Sequence, residues 1–151
     1  MKKTSKQNPS SRRKTSKVNR AETKNKRNAY IVKRFLEVLN MVKLYHWKTH
    51  SYAQHKATDE LYAQLNKHID EFVEVLLGKE NRRVKMVEKQ LRLIDSESSH
   101  DLKTHMYEFR EFLANMDEYF NKKDGGLLSI RDDLLVDVNQ FLYLMTFDKL
   151  A

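Results

Sequence analysis

Cysteine is absent from the 151 residues, proline appears once and glycine three times. Without thiols there are no disulfides and no thiolate metal sites, and nothing argues for export to an oxidising compartment. So little turn chemistry leaves hardly any room for a sheet with its hairpins, which makes all-α the natural fold class. Long hydrophobic runs are missing too. No stretch approaches the ~20 apolar residues that span a bilayer, and no signal-type segment follows Met1. The expectation is a soluble intracellular protein without a membrane partner, cytoplasmic or nucleoid-associated, with nucleus and virion as open alternatives. There is also no nucleophile–base–acid trio, phosphate loop, redox dithiol or HExxH zinc pattern.

Charge, by contrast, is plentiful and unevenly spread. Residues 1–28 hold Lys2, Lys3, Lys6, Arg12, Arg13, Lys14, Lys17, Arg20, Lys24, Lys26 and Arg27 against the single acid Glu22, a net of +10. The other 123 residues hold 18 basic and 20 acidic side chains, a net of −2. Before Ala29 the only clearly apolar residues are Met1, Val18 and Ala21, and the sole proline is Pro9. Nothing there offsets the entropy of ordering, so residues 1–28 are expected to form a disordered basic tail. A flexible polycation binds polyanions by releasing counterions, largely without regard to sequence, and DNA is the leading partner. The plainer alternative is a solvating or nuclear-targeting tail; a transit peptide would need an apolar face that is absent here.

From Ala29 onward, helical spacing takes over. Ile31, Phe35, Val38, Leu39, Val42 and Tyr45 predict a first helix ending near Trp47 to Thr49. Ser51 is the expected N-cap of a second helix, whose stripe of Leu61, Leu65, Ile69, Phe72 and Leu76 stops near Gly78. Val84, Val87, Leu91 and Ile94 suggest a short helix within a polar crossover. Ser98 or Ser99 opens a third helix carrying Leu102, Met106, Phe109, Leu113, Met116 and Phe120. Lys122 to Gly126 reads as a turn, and Ser129 with Asp132 as a capping box for the fourth helix, which buries Leu134, Leu135, Val138, Phe141, Leu142 and Met145. Two short links and one long one predict the ferritin-like form of the four-helix bundle over residues 29–151. Met41, Met106, Met116 and Met145 fall at apolar spacings and read as core.

The second helix carries another line beside its apolar stripe. With Leu61 at zero and ~100° per residue, the core face centres near ~40°, while His55, Asp59, Asp70 and Glu74 fall at about 120°, 160°, 180° and 220°. His55 with Asp59, and Asp70 with Glu74, are each one turn apart and can grip a metal as pairs. The pair centres are 15 residues apart, about 22 Å at ~1.5 Å per residue. One helix cannot fold both pairs onto a single ion. Two antiparallel copies can, about a two-fold axis between Gln64 and Leu65, with Ala63 and Asn66 near the midpoint. His46, near the end of the first helix, is a fifth candidate ligand. Histidine with carboxylates suits Fe(II), with Mn(II) or Zn(II) as competitors.

The run His46-Trp47, His55-Lys-Ala-Thr-Asp59 and Asp70-Glu-Phe-Val-Glu74 resembles the ferroxidase signature of the Dps proteins (DNA-binding proteins from starved cells), the miniature ferritins. In that family an HW pair ends the first helix, and HxxxD and DxxxE follow on the second with the separation of 11 residues found here from Asp59 to Asp70. Phe141-Leu-Tyr-Leu-Met145 is similar to the end of the family's last helix. The motif covers residues 46–74, and helix layout extends a weaker likeness over 29–148. The resemblance implies a homo-oligomeric, dodecameric shell that oxidises Fe(II) to Fe(III), preferentially with hydrogen peroxide, and stores the ferric mineral. It implies that His46, His55 and Asp59 of one chain and Asp70 and Glu74 of its two-fold mate are the catalytic metal ligands. It also implies DNA binding through the basic N-terminal segment. The stretch from His46 to His55 is shorter than the family's usual loop, which leaves His50 as the alternative to His46.

Plainer readings stand beside these. One DxxxE on a helix is usually a solvated flank, and only the full register with an upstream HW lifts it above that. His68 lies near the core stripe and reads as half-buried and structural, while His100 and His105 read as surface. Trp47 and Tyr52, aromatics at helix ends, read as core sooner than as neighbours of a metal. In function, the alternative to an iron oxidase is a non-catalytic nucleic-acid-packaging protein that uses the helical body as an oligomer scaffold. A monomeric or dimeric helical regulator is a third, weaker one.

Overall fold

The structure, a computed structural model, describes residues 9–148, with side chains from Lys14 to Phe147. Ile31, Phe35, Val38, Val42 and Tyr45 line one face of α1 (Pro9–Lys48) and meet the Leu61-to-Leu76 stripe of α2 (Tyr52–Glu80). Leu102, Met106, Phe109 and Leu113 of α3 (Ser99–Ala114) and Leu134, Val138 and Phe141 of α4 (Gly125–Leu144) close the core. Short 3₁₀ turns follow α3 and α4 and precede α4. Phe35 meets Phe72, Phe109 and Phe112 edge-on, with centroids 5.4, 6.3 and 6.1 Å away. Each such pair contributes ~0.5–1.5 kcal/mol beyond burial alone. The architecture is therefore an all-α four-helix bundle. No helix among the described residues is long and apolar enough to cross a membrane.

The link after α2 sets the topology. Asn25 clamps Lys85, its amide donating to the Lys85 carbonyl and its oxygen accepting from the Lys85 N–H, both at 2.9 Å. Further on, Lys33 pairs with Glu88 and Lys48 with Asp95. The chain therefore runs beside α1 in the same direction, from near its middle to its last turn. Helix directions are up, down, down, up.

Three expectations about elements need correction. The crossover has no helix: residues 83–97 are neither α nor 3₁₀. Its partners on α1, Asn25 and Lys48, are 23 residues apart, about 35 Å of helix at ~1.5 Å per residue. The ten residues from Lys85 to Asp95 cover that only when extended, at ~3.3–3.6 Å each. As a helix they would reach less than half as far. Second, the tail is not disordered where it is described: Pro9 to Asn28 continue α1 without a break, while residues 1–8 lie outside the described residues. A pre-formed helix spares each added turn the cost of nucleation, and three contacts anchor the junction. Arg82 donates to the Ala21 carbonyl at 3.0 Å, Asn28 to Glu80 at 2.7 Å, and Arg27 pairs with Glu80. Third, the capping box before α4 is formed by Asn121 and Asp124, not by Ser129 and Asp132, so the helix starts one turn early at Gly125. Ser51 and Ser98 do cap α2 and α3, accepting from Gln54 and Asp101 N–H.

Arg131 clasps the α3 C-terminus from α4. Its buried guanidinium donates to the Leu113 carbonyl at 3.0 Å, to Asp117 at 2.9 Å and to Asp132 at 2.7 Å. Burial pulls its pKa down, and the hydrogen bonds to Asp132 and Asp117 more than reverse this, leaving it raised. Arg131→Leu removes the donor that ties the Leu113 carbonyl and Asp117 to α4, and should cost ~1–3 kcal/mol in urea unfolding. An unchanged midpoint would show that the clasp contributes nothing.

Candidate metal centre

His46 sits in the last turn of α1, where the last carbonyls have no partner within the helix. His55 lies in the first turn of α2, across the tight Thr49–Ser51 link. Each imidazole reaches the other residue's backbone: His46 Nδ1 lies 2.9 Å from the His55 carbonyl, and His55 Nδ1 lies 3.0 Å from the His46 carbonyl. A carbonyl oxygen only accepts, so both Nδ1 atoms are donors. In the neutral rings the lone pair is left on Nε2. His46 Nδ1 also lies 3.2 Å from the buried Thr58 hydroxyl, which donates to the Gln54 carbonyl at 2.7 Å. The rings stack with centroids 3.9 Å apart and planes 20° from parallel.

The exchange aims both Nε2 atoms away from the backbone. His46 Nε2 lies 3.9 Å from the carboxylate of exposed Asp59. The structure thus brings His46 beside both His55 and Asp59, whereas His50 is exposed and makes none of these contacts. A histidine that donates Nδ1–H to a carbonyl while offering Nε2 is the arrangement metal-binding histidines adopt, because the second hydrogen bond fixes ring and tautomer.

Asp70 and Glu74 are not part of this group. They stand exposed near the other end of α2, which runs unbroken from Tyr52 to Glu80. Asp59, Ala63, Asn66, Asp70 and Glu74 form one exposed line off the core face. Among the described residues, no three His, Asp or Glu side chains of one chain form a group that could hold a metal ion.

Trp47 and Tyr52 are not core, contrary to expectation: they are 70% and 75% exposed. Both flank the histidine pair, with Lys43 above Trp47 and Lys56 above Tyr52 at 5.9 and 5.7 Å from the ring centroids. His68 is half-buried as expected, with Nδ1 2.5 Å from the buried Asp137 carboxylate of α4. Thr58 and Asp137 drew no attention from the sequence, since a lone threonine or aspartate among helical residues carries no motif.

Of the basic residues, Lys14, Lys17, Arg20, Lys24 and Lys26 are exposed on the extension of α1. Arg27 is half-buried against Glu80 and Phe120. Lys2, Lys3 and Lys6, and the side chains of Arg12 and Arg13, lie outside the described residues.

Comparison with curated proteins and with solved structures gave no match. Residues 46–145, from the first histidine of the pair to the end of α4, match a family described as a family of unknown function (DUF5856). The match covers two-thirds of the sequence, and the chain belongs to that family.

Proposed function

We propose that this chain is a Dps-like subunit that oxidises Fe(II) at a di-metal site shared between two copies, stores the ferric product, and binds DNA through its basic N-terminal segment. The observation that carries this reading is the reciprocal hydrogen bonding of His46 and His55, which leaves both Nε2 lone pairs free, that of His46 facing Asp59. Two nitrogens and a carboxylate make half of a first-row metal site. Asp70 and Glu74 of a second, antiparallel copy would complete it, and the two-fold axis near Gln64 would generate the site twice. Each iron gives up one electron to the peroxide. Histidines in a fixed tautomer would hold the ion, and carboxylates of the mate would offset the charge gained on oxidation.

Exposure on the same side of the molecule supports a second copy there. Leu36, Trp47 and Tyr52 are large apolar side chains open to solvent. A groove between α1 and α2, lined by Val32, Leu36, Asn66, Asp70 and Val73, runs beside the carboxylates. One long crossover in an up-down-down-up bundle is compatible with a ferritin-like body and so with a dodecameric shell working in cytoplasm or nucleoid.

In the expected result, Fe(II) with hydrogen peroxide gives a ferric absorbance that Asp70→Ala/Glu74→Ala abolishes. Normal oxidation by the double variant would sink the assignment. A sizing column distinguishes a dodecamer of 18.1 kDa chains from a dimer. The second reading, a nucleic-acid-packaging protein with an idle body, draws on the lack of a complete ligand group among the described residues of one chain. It would stand if the unmodified protein retards DNA but gives no iron signal.

A further inference from the structure

The helical extension of α1 has an order that a disordered tail would lack. With Ile31 at zero and ~100° per residue, the core line Ile31, Phe35, Val38, Val42 and Tyr45 stays within about 40° of one direction. Continued toward the N-terminus, the same line passes through Arg27, Lys24, Arg20 and Lys17, all within about 40°. Glu22, the segment's one acid, falls on the opposite side, and Lys14 and Lys26 lie about 100° and 140° away. The face of α1 that is apolar inside the bundle therefore turns basic where the helix leaves it.

Arg27 shows which way this basic face looks. Its guanidinium stands 4.7 Å from the Phe120 ring centroid and pairs with Glu80, so it rests on the link between α3 and α4 and on the last turn of α2. Lys24, Arg20 and Lys17 continue from there and overhang the end of the bundle. On that end, Glu80 is neutralised by Arg27 and Asp124 by Lys79, while Lys122 and Lys123 are exposed with no ion pair among the described residues. Glu118 is the exposed acid that remains. Lys17, Arg20 and Lys24 likewise have no acidic partner among the described residues.

The geometry points to a concave corner that seats the phosphate backbone of duplex DNA, with the arm's basic face as its wall and the Lys122–Lys123 end of the bundle as its floor. The inference rests on the reading of the basic segment as DNA-binding, and replaces a loose polycation with a directional surface. From Lys17 to Arg27 the wall is about 15 Å long, facing a polyanion with one charge per ~1.7 Å of duplex. An anionic membrane fits less well, because a membrane-surface helix needs an apolar face and Val18 is the arm's lone exposed large apolar residue among the described ones.

Two full-length variants test the corner, each losing two lysines and the same net charge. Lys17→Gln/Lys24→Gln lies on the wall, and Lys14→Gln/Lys26→Gln lies off it. The probe is a fluorescent mixed-sequence duplex titrated between 50 and 200 mM salt. The wall pair should weaken binding roughly tenfold or more and lower the salt slope by about 1.8, as two lost phosphate contacts require. The off-wall pair should change it less than about threefold. Equal losses from both pairs overturn the corner and leave the DNA-binding reading standing. No binding by the unmodified protein overturns both, and binding to phosphatidylserine vesicles but not to duplex replaces DNA with a membrane surface.

Discussion

Co-expressing two inactive variants should restore about a quarter of the unmodified rate of iron oxidation. One partner carries His55→Ala/Asp59→Ala, the other Asp70→Ala/Glu74→Ala. Each homodimer then lacks one half of both shared sites and should be silent. In a mixed dimer, one site combines the two damaged halves and the other combines the two intact ones. Random pairing makes half of the dimers mixed, each with one working site of two. Ligands drawn from one chain alone would give no recovery at all. The experiment therefore separates a shared site from any arrangement in which α2 serves its own metal; the ~22 Å between the pairs on one helix is the reason a shared form is proposed. A mixture as silent as its components would end the intersubunit reading.

Removing residues 2–19 should lower affinity for duplex DNA at least about tenfold at 50 mM salt and flatten the salt slope by between about 1 and 5 units, because Lys17 leaves the wall while Lys14 lies off it. The deletion takes out Lys2, Lys3, Lys6, Arg12, Arg13, Lys14 and Lys17, seven of the eleven basic residues in the segment. It stops short of the junction deliberately: Ala21 accepts from Arg82, Asn25 clamps the crossover, and Arg27 and Asn28 hold Glu80. Iron oxidation should be unaffected, because the deletion leaves α2 and the histidine pair in place. Undiminished retardation on a gel would show that the arm does not carry DNA binding.

The parts of the fold legible in the sequence were those fixed by local chemistry. Ser51 and Ser98 announce helix starts because a short hydroxyl side chain satisfies the third N–H. The α2 apolar stripe and the exposed line beside it follow from helical period alone. Val84, Val87, Leu91 and Ile94 misled because their spacing imitates a helix, while the distance the link must bridge forbids one. The arm misled in the opposite sense: its composition lacks a core, but it grows from a helix that has one. At the candidate site, the register of His55, Asp59, Asp70 and Glu74 was visible. The Nδ1–carbonyl exchange was not, since backbone acceptors are common to every residue and only the turn at 49–51 brings them into reach.

The crossover, drawn out between the Asn25 clamp and the Lys48–Asp95 pair, works as a gauge for the length of α1. It has almost no slack to give up. Lengthening it costs little, since each doubling of a flexible loop adds only ~0.6 kcal/mol of closure entropy. Shortening it by two residues removes about 7 Å of reach, which only a loosened clamp or an unwound first turn of α3 can supply. A change in the length of this segment is thus nearly free in one direction and coupled in the other to the length of the first helix.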